Sequence, residues 1–460
     1  MKSLLASVEA SVRDMKPPPP SEGDVNTSPN RAAWLREEID AETRHWLDED
    51  ARWFLHQSLS TPCLNVLQSC EGSEIKDLQG RAFLDFHGNN VHHIGFSHPE
   101  VIEAITRQMR ELSFCSRRYT NLPAIRLARK LAELAPGHLN RVLFAPGGTT
   151  AMGMALKLAR AATGRFKTIS LWDSFHGASL DAISIGGETL FRQGMEPLLP
   201  GALHVPPPDP RGCPWNCGDP CNLQCARYVE YVMEREGDVG AVIVETVRAT
   251  SLIPPAGYLQ ILRDACYRHH TLLIFDEIPH ALGRTSSMFT CENFDVVPDM
   301  LVIGKALGGG IFPLAALIAR DDLNVMPDRA LGHYTHEKNP VACAAALAAI
   351  EVIQRDKLPQ RAAALGEIAV ARLREMKDTH ALIGAVRGLG LLLGIELVWG
   401  GRPAVREADA ILYLCLRRGL SFKVTMGNIL TLTPPLTISE QDLMRALDIL
   451  EESIPAAGEP

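Results

Sequence analysis

No apolar run in this 460-residue sequence is long enough to cross a bilayer, and its first residues lack the apolar core of a signal peptide. No basic block stands out either, because charges of both signs are mixed along the chain and sum to −8 at pH 7. We therefore expect neither a membrane partner nor a nucleic-acid partner. The prediction is a cytoplasmic protein that handles small molecules.

Cysteine is not scarce, but no complete disulfide framework is expected, because the eleven cysteines are an odd number. Cys213, Cys217, Cys221 and Cys225 stand at regular steps in the segment PPPDPRGCPWNCGDPCNLQC. Four thiolates can close a tetrahedral zinc or iron–sulfur site. The spacing matches none of the common zinc patterns, however, so we favour free thiols in a reducing cytosol and assign no metal.

The composition, with 46% hydrophobic and 22% charged residues, is that of a globular protein. The length is too great for one small core, so a large domain and a smaller one are expected. The N-terminus shows a short amphipathic pattern and then a Pro-rich polar linker. The predicted parts are a flexible N-terminal arm (1–30), the first segment of a small domain (31–95), a large domain (96–350) and the rest of the small domain (351–460).

Periodicity predicts the secondary structure. A helical pattern runs from about Trp34 to Leu55, and alternating residues on both sides of Gly80 predict a hairpin. Farther along, helical stretches alternate with the short apolar runs RVLFAPGG, TISLWDS, GAVIVET, TLLIFDE and DMLVIGKA. These runs predict an α/β fold with a parallel sheet buried on both faces, and the C-terminal pattern predicts a smaller α+β domain. Ligands bind at the carboxyl ends of such strands, where these runs carry polar residues or glycine.

The strongest chemical signal is an acid and a lysine at the ends of two apolar strands. LLIFDE carries Asp276, and IGKALGGG carries Lys305. Enzymes that use pyridoxal 5′-phosphate (PLP) need both residue types. The lysine holds the cofactor as a Schiff base and moves a proton, and the carboxylate keeps the pyridine nitrogen protonated. Either residue alone would more often be structural.

Other residues at strand ends and helix starts extend this candidate site. Gly148 and Thr149 precede an apolar helix, where backbone amides and hydroxyls can bind phosphate, although a glycine at a helix start is common. Phe175 can stack on the pyridine ring or belong to the core, with equal weight. His176 follows it directly. Glu245 ends another strand.

Thr335 lies in HYTHEKNPVACAAALAAI, just before an Ala-rich helix. Its hydroxyl can hold a phosphate or simply cap the helix. The residues alone leave both readings open.

Five sequence blocks resemble those of the class III aminotransferases, which are PLP enzymes of fold type I. They are GFSHPEVIEAI, GGTTAMGMALKLAR, FHGAS, LLIFDEIPHALGRTSSMF with IGKALGGG, and THEKNPVACAAA. With the late TPPLTISEQDL, the resemblance extends from about Ser60 to Ile449. It implies a large domain with a mainly parallel sheet, a smaller α+β domain, and a homodimer with shared active sites.

The resemblance also implies residue roles. Lys305 would form the Schiff base, and Asp276 would contact the ring nitrogen. The further cofactor-binding candidates are Gly148 and Thr149 (phosphate), Phe175 (ring stacking), His176, Glu245, and Thr335 (phosphate of the neighbouring subunit).

Three departures from the family pattern concern the cofactor and the co-substrate. Pro279 stands where a glutamine usually bonds the cofactor's phenolic oxygen; His280 either compensates or caps a turn. Thr150 replaces the usual glutamate of the phosphate loop. Thr431 stands where transaminases carry an arginine for the substrate carboxylate. A buried carboxylate without a charge partner is costly, so an ordinary keto-acid co-substrate is disfavoured.

Three arginines are candidates for binding an anionic group of the substrate. Arg117 and Arg118 stand side by side in FCSRRYTN, a region that lines the substrate pocket of relatives, and Arg248 in VIVETVRAT stands where the family commonly has an uncharged residue. Guanidinium forks suit phosphate and phosphonate, although adjacent arginines are often only a solvated face.

These features resemble the ammonia- and phospho-lyases of the family, and most closely the (R)-2-amino-1-hydroxyethylphosphonate ammonia-lyases. The function expected from this resemblance is release of ammonia from a small hydroxy-amino phosphonate, giving phosphonoacetaldehyde. The alternative is an ω-aminotransferase that moves an amino group between an amine and a keto acid.

Overall fold

The computed structural model divides the described chain into two compact units. One unit comprises the described residues up to Gly88 together with those from Ala364 onward, and the other comprises Asn89–Ala363. Most of the predicted N-terminal arm (1–30) lies outside the described residues. The structure describes residues 21–23, 27–57, 63–211, 213–218 and 220–457.

The described residues form sixteen strands and thirteen α-helices. The strands are β1 Leu67–Glu71, β2 Glu74–Asp77, β3 Ala82–Asp85, β4 Leu139–Ala145, β5 Lys167–Leu171, β6 Ala202–Val205, β7 Val239–Glu245, β8 Leu272–Asp276, β9 Met300–Ile303, β10 Ala315–Arg320, β11 Ile383–Leu389, β12 Leu392–Trp399, β13 Arg402–Pro403, β14 Leu420–Ser421, β15 Lys423–Thr425 and β16 Ile429–Leu432. The helices are α1 Pro29–Glu37, α2 Ala41–Trp53, α3 Pro99–Glu111, α4 Leu122–Leu134, α5 Gly148–Thr163, α6 Leu180–Ile185, α7 Thr189–Arg192, α8 Gln224–Glu236, α9 Tyr258–Arg268, α10 Pro340–Arg355, α11 Leu358–Thr379, α12 Val405–Arg417 and α13 Glu440–Ala456. Short 3₁₀ helices span Gly88–Asn90, Thr290–Phe294, Lys305–Gly308 and Asp321–Leu323.

The unit Asn89–Ala363 is built on a seven-stranded sheet with the order β4-β10-β9-β8-β7-β5-β6. Five of its strands, β6 to β9 with β5, run parallel, as expected for apolar runs joined by helices. The α/β prediction with a mainly parallel sheet is confirmed. Strand β10 is antiparallel to both β4 and β9, a reversal that the parallel prediction did not include.

The core of this unit explains why its strands are apolar throughout. Ile243, Ile274 and Val302 pack in one cluster with α5, while the intervening residues Val244 and Phe275 are fully buried as well. A strand that is covered on both faces cannot alternate polar and apolar residues. Only the ends of these strands are therefore left for polar groups.

The other unit contains two smaller sheets. One has the order β1-β2-β3-β14, and the other has the order β11-β12-β16-β15, with β13 paired to β12. The predicted hairpin is β2 and β3, which pair antiparallel through a turn in which Gly80 has φ 80°.

The helical pattern predicted from Trp34 to Leu55 corresponds to two helices in the structure. Helix α1 ends at Glu37, and Asp40 begins α2 by accepting the backbone N–H of Thr43. An Asp side chain that caps a helix start favours a new helix over continuation of the old one. Among the described helices, none is long and apolar enough to cross a membrane.

We expect the substitution Ile274→Ala to lower the free energy of unfolding by about 2–5 kcal/mol, because it leaves a cavity under α5. Chemical denaturation of the purified protein measures this. Ile102→Ala on α3 is the control: its side chain is 44% exposed, and its effect should stay within about 0.5 kcal/mol. Equal effects at the two positions would contradict this view of the core.

Candidate active site

The predicted catalytic residues lie at one edge of the seven-stranded sheet. In the β7–β8 ladder Glu245 pairs with Asp276, and in the β8–β9 ladder Asp276 pairs with Val302. Lys305 follows β9 by two residues and has a left-handed backbone with φ 45°. Parallel neighbours end at the same edge, so all three side chains start from the carboxyl end of the sheet.

Glycine contacts show that the loops at this edge converge on Ile278. A Cβ at Gly148 would come within 2.7 Å of Ile278 Cδ1, and a Cβ at Gly304 within 3.2 Å of its Cγ2. A Cβ at Gly177, where φ is 122°, would collide with Thr149. Only glycine permits these approaches. The loops that follow β4, β5, β8 and β9 are therefore in direct contact.

Asp276 is buried and held on both carboxylate oxygens. His176 Nδ1 lies 2.8 Å from Oδ2, and the backbone N–H of Ile278 donates to Oδ1 at 3.1 Å. Burial lowers the pKa of His176, but the hydrogen bond and the charge of Asp276 outweigh that effect and leave the pKa above its usual value. The ring thus donates to Asp276 and fixes the orientation of its carboxylate.

Glu277 was not singled out from the sequence, although it adjoins Asp276. It accepts hydrogen bonds from the Thr246 hydroxyl at 2.8 Å, the Thr290 N–H at 2.6 Å and the Cys291 N–H at 2.7 Å. Burial raises the pKa of Glu277 to about 7 despite these donors. The Glu277 side chain therefore joins the end of β7 to the 3₁₀ helix Thr290–Phe294, through the residue next to Asp276.

Arg248 is buried among acidic groups. Its Nε donates to Glu245 at 3.1 Å, and a terminal nitrogen lies 3.6 Å from Glu188. It also donates to the carbonyl of Asp173. The Arg248 side chain is 3% exposed. The carboxylates of Glu245 and Glu188 compensate its charge at this buried position. Glu188 gave no signal in the sequence, because it lies far along the chain from its partner.

Arg117 and Thr335 lie in two segments that contact each other. Arg117 Nη1 is 3.3 Å from the Glu337 carboxylate, which also accepts the N–H groups of His333 and Tyr334 at 3.1 Å. The Arg117 side chain remains 40% exposed. Thr335 and His336 on this loop are exposed, whereas Tyr334 is half-buried and Glu337 is buried.

The remaining predicted residues are placed as follows. Arg118 is exposed. The half-buried ring of Phe175 lies 4.7 Å from that of Phe191, centroid to centroid. The Thr150 hydroxyl donates to the carbonyl of Gly147 at 2.7 Å, so it closes the first turn of α5.

Three positions that depart from the family pattern are buried: Pro279, His280 and Thr431. Thr431, on β16 of the smaller unit, lies 2.9 Å from the hydroxyl of Thr425, oxygen to oxygen.

The residues present fit PLP. No side chain caps the start of α5, where a Cβ on Gly147 would meet nothing within 4 Å, so amides and space are available for a phosphate. Nε2 of His176 is buried without a hydrogen-bond partner among the described residues. An amine, Lys305, and a buried carboxylate, Asp276, occupy neighbouring strand ends.

Comparisons with known proteins identify the family to which the chain belongs. The sequence model of the Aminotransferase class-III family matches residues 56–454. The chain belongs to the class III aminotransferase family and is a PLP-dependent enzyme.

Individual relatives differ in the reaction that their names state. The chain is 48% identical over 453 residues to the (R)-1-hydroxy-2-aminoethylphosphonate ammonia-lyase of Vibrio splendidus, covering 94% of this chain and 95% of that protein. It is 37% identical to the acetylornithine aminotransferase of Methanopyrus kandleri, covering 84% and 94%. The structure of a PLP-bound amine transaminase from an uncultivated Pseudomonas species matches with a TM-score of 0.82, 28% identity, and coverage of 88% and 99%.

We expect the stability of the protein to fall as the pH rises from about 5 to 8, in part because of Glu277. A carboxyl with a pKa of about 7 in the folded chain and 4.5 as its ordinary value stabilises the fold while protonated, and loses that contribution as the pH rises through 7. Denaturation midpoints at several pH values should show a flatter dependence for Glu277→Gln. Glu103→Gln, on the exposed face of α3, is the control, and identical slopes in all three proteins would refute the assignment.

Proposed function

We propose that this chain is an ammonia-lyase that converts 2-amino-1-hydroxyethylphosphonate to phosphonoacetaldehyde and ammonia. The 48% identity to the Vibrio splendidus ammonia-lyase over nearly the full length of both proteins supports it. The structural observation that carries the proposal is the buried, uncharged side chain of Thr431. At a position where related transaminases carry an arginine, this chain has a buried hydroxyl already bonded to Thr425. A keto acid would find no charge partner there.

The chemistry divides among three side chains. PLP, when bound, supplies an electron sink for the carbon that carries the substrate nitrogen. Lys305 removes a proton from that carbon and returns one later. Asp276 would keep the pyridine nitrogen of bound PLP protonated, and His176 orients Asp276 through its 2.8 Å hydrogen bond. The roles of Lys305 and Asp276 are those that the sequence predicts for them.

The overall reaction needs no second substrate. The substrate loses its hydroxyl and a carbon-bound proton as water, which leaves an enamine. The enamine gains a proton on the carbon next to phosphorus, loses one from nitrogen and becomes an imine, whose C=N bond takes up one water and breaks. The products are ammonia and phosphonoacetaldehyde, so atoms balance and no group is left on the cofactor. A keto-acid acceptor is therefore unnecessary, which agrees with the absence of an arginine at Thr431.

Arg117 and Arg118 are better placed than Arg248 to bind the phosphonate. Arg117 has one carboxylate partner and is 40% exposed, whereas Arg248 is buried between Glu245 and Glu188. An arginine already shared by two carboxylates has little charge left for an anion. We therefore assign Arg248 to positioning Glu245 and the strand end, and Arg117 with Arg118 to the substrate.

We further propose a homodimer in which Thr335 reaches the phosphate of the neighbouring subunit's cofactor. The exposure of Thr335, on a loop held in shape by Glu337, supports this role. Gly148 and Thr149 would bind the phosphate within the subunit, and Phe175 would stack on the ring. A cytoplasmic location remains part of the proposal.

An ω-aminotransferase is the second candidate. It is favoured by the match to the Pseudomonas amine transaminase and by the identity to an acetylornithine aminotransferase. The two functions differ in their need for a keto acid.

We expect the PLP-loaded protein to release ammonia from 2-amino-1-hydroxyethylphosphonate over many turnovers in the absence of any keto acid. Coupled detection of ammonia and of phosphonoacetaldehyde measures this. Lys305→Ala should lower the rate by at least about 10²-fold, because the proton-transfer group is lost. If the wild type releases ammonia only after pyruvate or 2-oxoglutarate and an amine are added, the protein is an aminotransferase.

We expect Arg117→Gln to raise the KM for the aminophosphonate about 10–100-fold with a smaller change in kcat, because it removes a charge-assisted hydrogen bond made in both ground and transition states. Steady-state ammonia release measures both constants. Arg110→Gln, an exposed position on α3, should leave them unchanged. If Arg248→Gln raises KM selectively and Arg117→Gln does not, the assignment of the two arginines is reversed.

A further inference from the structure

Two segments that are far apart in the sequence contact each other, one just before α4 and the other just before α10. The ring of Phe114 meets the ring of His336 nearly edge-on, with the centroids 5.4 Å apart. The side-chain amide of the buried Asn121 donates to the carbonyl of Lys338 at 3.0 Å. These contacts lie on both sides of Arg117 and hold its segment against the loop before α10.

The carboxylate of Glu337 lies at the centre of this contact. Its side chain is buried, and three donors converge on its Oε2 atom. They are Arg117 Nη1 at 3.3 Å and the backbone N–H groups of His333 and Tyr334, each at 3.1 Å. Hydrogen bonds to a charged group are stronger than neutral ones. One oxygen atom therefore ties the guanidinium of Arg117 to the backbone of the loop.

The shape of the loop depends on this carboxylate. His333 has φ 124°, a backbone conformation that a residue other than glycine keeps only where its surroundings hold it. A Cβ at Gly332 would lie 2.8 Å from Glu337 Oε2 and 2.5 Å from Met154 Cε of α5. The loop is thus packed closely against both the carboxylate and α5, while Thr335 remains exposed.

Arg117 and Thr335 are therefore parts of one unit. Thr335 comes two positions before Glu337, and two residues of chain span at most about 7 Å. A carboxylate this close to a bound phosphate would repel it, and the guanidinium held at 3.3 Å offsets that charge. A unit of this size can bind both the phosphate of a cofactor and the phosphonate of a small substrate that reacts on it.

We propose that Glu337 is a positioning residue that holds Arg117 and Thr335 as one unit, so that both serve the same active site. The inference rests on the proposed function, in which Thr335 reaches the phosphate of the neighbouring subunit's cofactor. Arg117 then binds the phosphonate of the substrate that reacts at the partner subunit's Lys305. Each active site of the dimer takes its lysine from one chain and its anion-binding arginine from the other.

Hybrid dimers test the assignment of Arg117. Chains with Lys305→Ala and chains with Arg117→Gln carry different affinity tags, are coexpressed, and are purified through both tags. In this hybrid the intact lysine meets the intact arginine of the other chain. We therefore expect ammonia release with the wild-type KM, at about half the wild-type kcat per dimer because one of two sites is complete.

The reciprocal hybrid pairs a wild-type chain with a chain that carries both substitutions. Its one intact lysine meets the substituted arginine position, so its KM should be raised about 10–100-fold, as in the Arg117→Gln homodimer. If the first hybrid has the raised KM and the reciprocal hybrid the wild-type KM, Arg117 acts within its own chain and the proposal is overturned.

The PLP affinity of Glu337 variants tests the positioning role without turnover. Equilibrium dialysis of the PLP-loaded full-length protein, followed by cofactor absorbance, gives the Kd for PLP. Glu337→Ala removes the acceptor of two backbone N–H groups and should raise this Kd about tenfold. Glu337→Gln keeps an acceptor oxygen and should stay within about twofold of the wild type. Glu133→Gln, which breaks the exposed ion pair with Arg129 on α4, is the matched control and should leave the Kd unchanged.

Two results would overturn the positioning role: an unchanged Kd for PLP in Glu337→Ala, or equal losses of affinity in the Ala and Gln variants. A wild type that releases no ammonia would refute the proposed function instead, and the Kd series would still decide the role of Glu337.

Discussion

The carboxylate of Asp276 is a charge placed at the end of a strand that is buried on both faces, and the catalytic edge is organised around it. His176 and the amide of Ile278 donate to its two oxygens, while the adjacent Glu277 joins the end of β7 to the 3₁₀ helix Thr290–Phe294. A carboxylate at a buried position acts strongly on a neighbouring cation.

The same constraint explains what could be predicted from the sequence. Apolar runs that end in Asp276 and Glu245, or lead into Lys305, predict a parallel sheet with these groups at one edge, because strands covered on both faces leave polar residues only at their ends. The reversed direction of β10 was not predictable in this way. Its sequence, AALIAR, is as apolar as the sequences of the strands that run parallel in the same sheet. Burial alone does not encode strand direction.

Side-chain partners were harder to predict than positions. Arg248 stood where the family commonly has an uncharged residue, but the sequence could not show that Glu188, 248 − 188 = 60 residues earlier, would lie beside it. Charge compensation depends on the fold, whereas strand ends depend on local pattern. For this reason the sequence identified the candidate catalytic pair by residue, yet left three arginines equal as candidates for the anion.

Whether the chain acts as a lyase or as a transaminase depends on an arginine, and this chain has Thr431 at that position. Lys305 and Asp276 are the parts that lyases and transaminases of the family have in common, so they do not discriminate between the two reactions. Discrimination requires a residue that acts on the second substrate alone. At Thr431 the hydroxyl is hydrogen-bonded with that of Thr425, and the position offers no positive charge to a carboxylate. A chain that lacks this partner but keeps a partly exposed Arg117 is better suited to one phosphonate substrate than to successive carboxylate substrates.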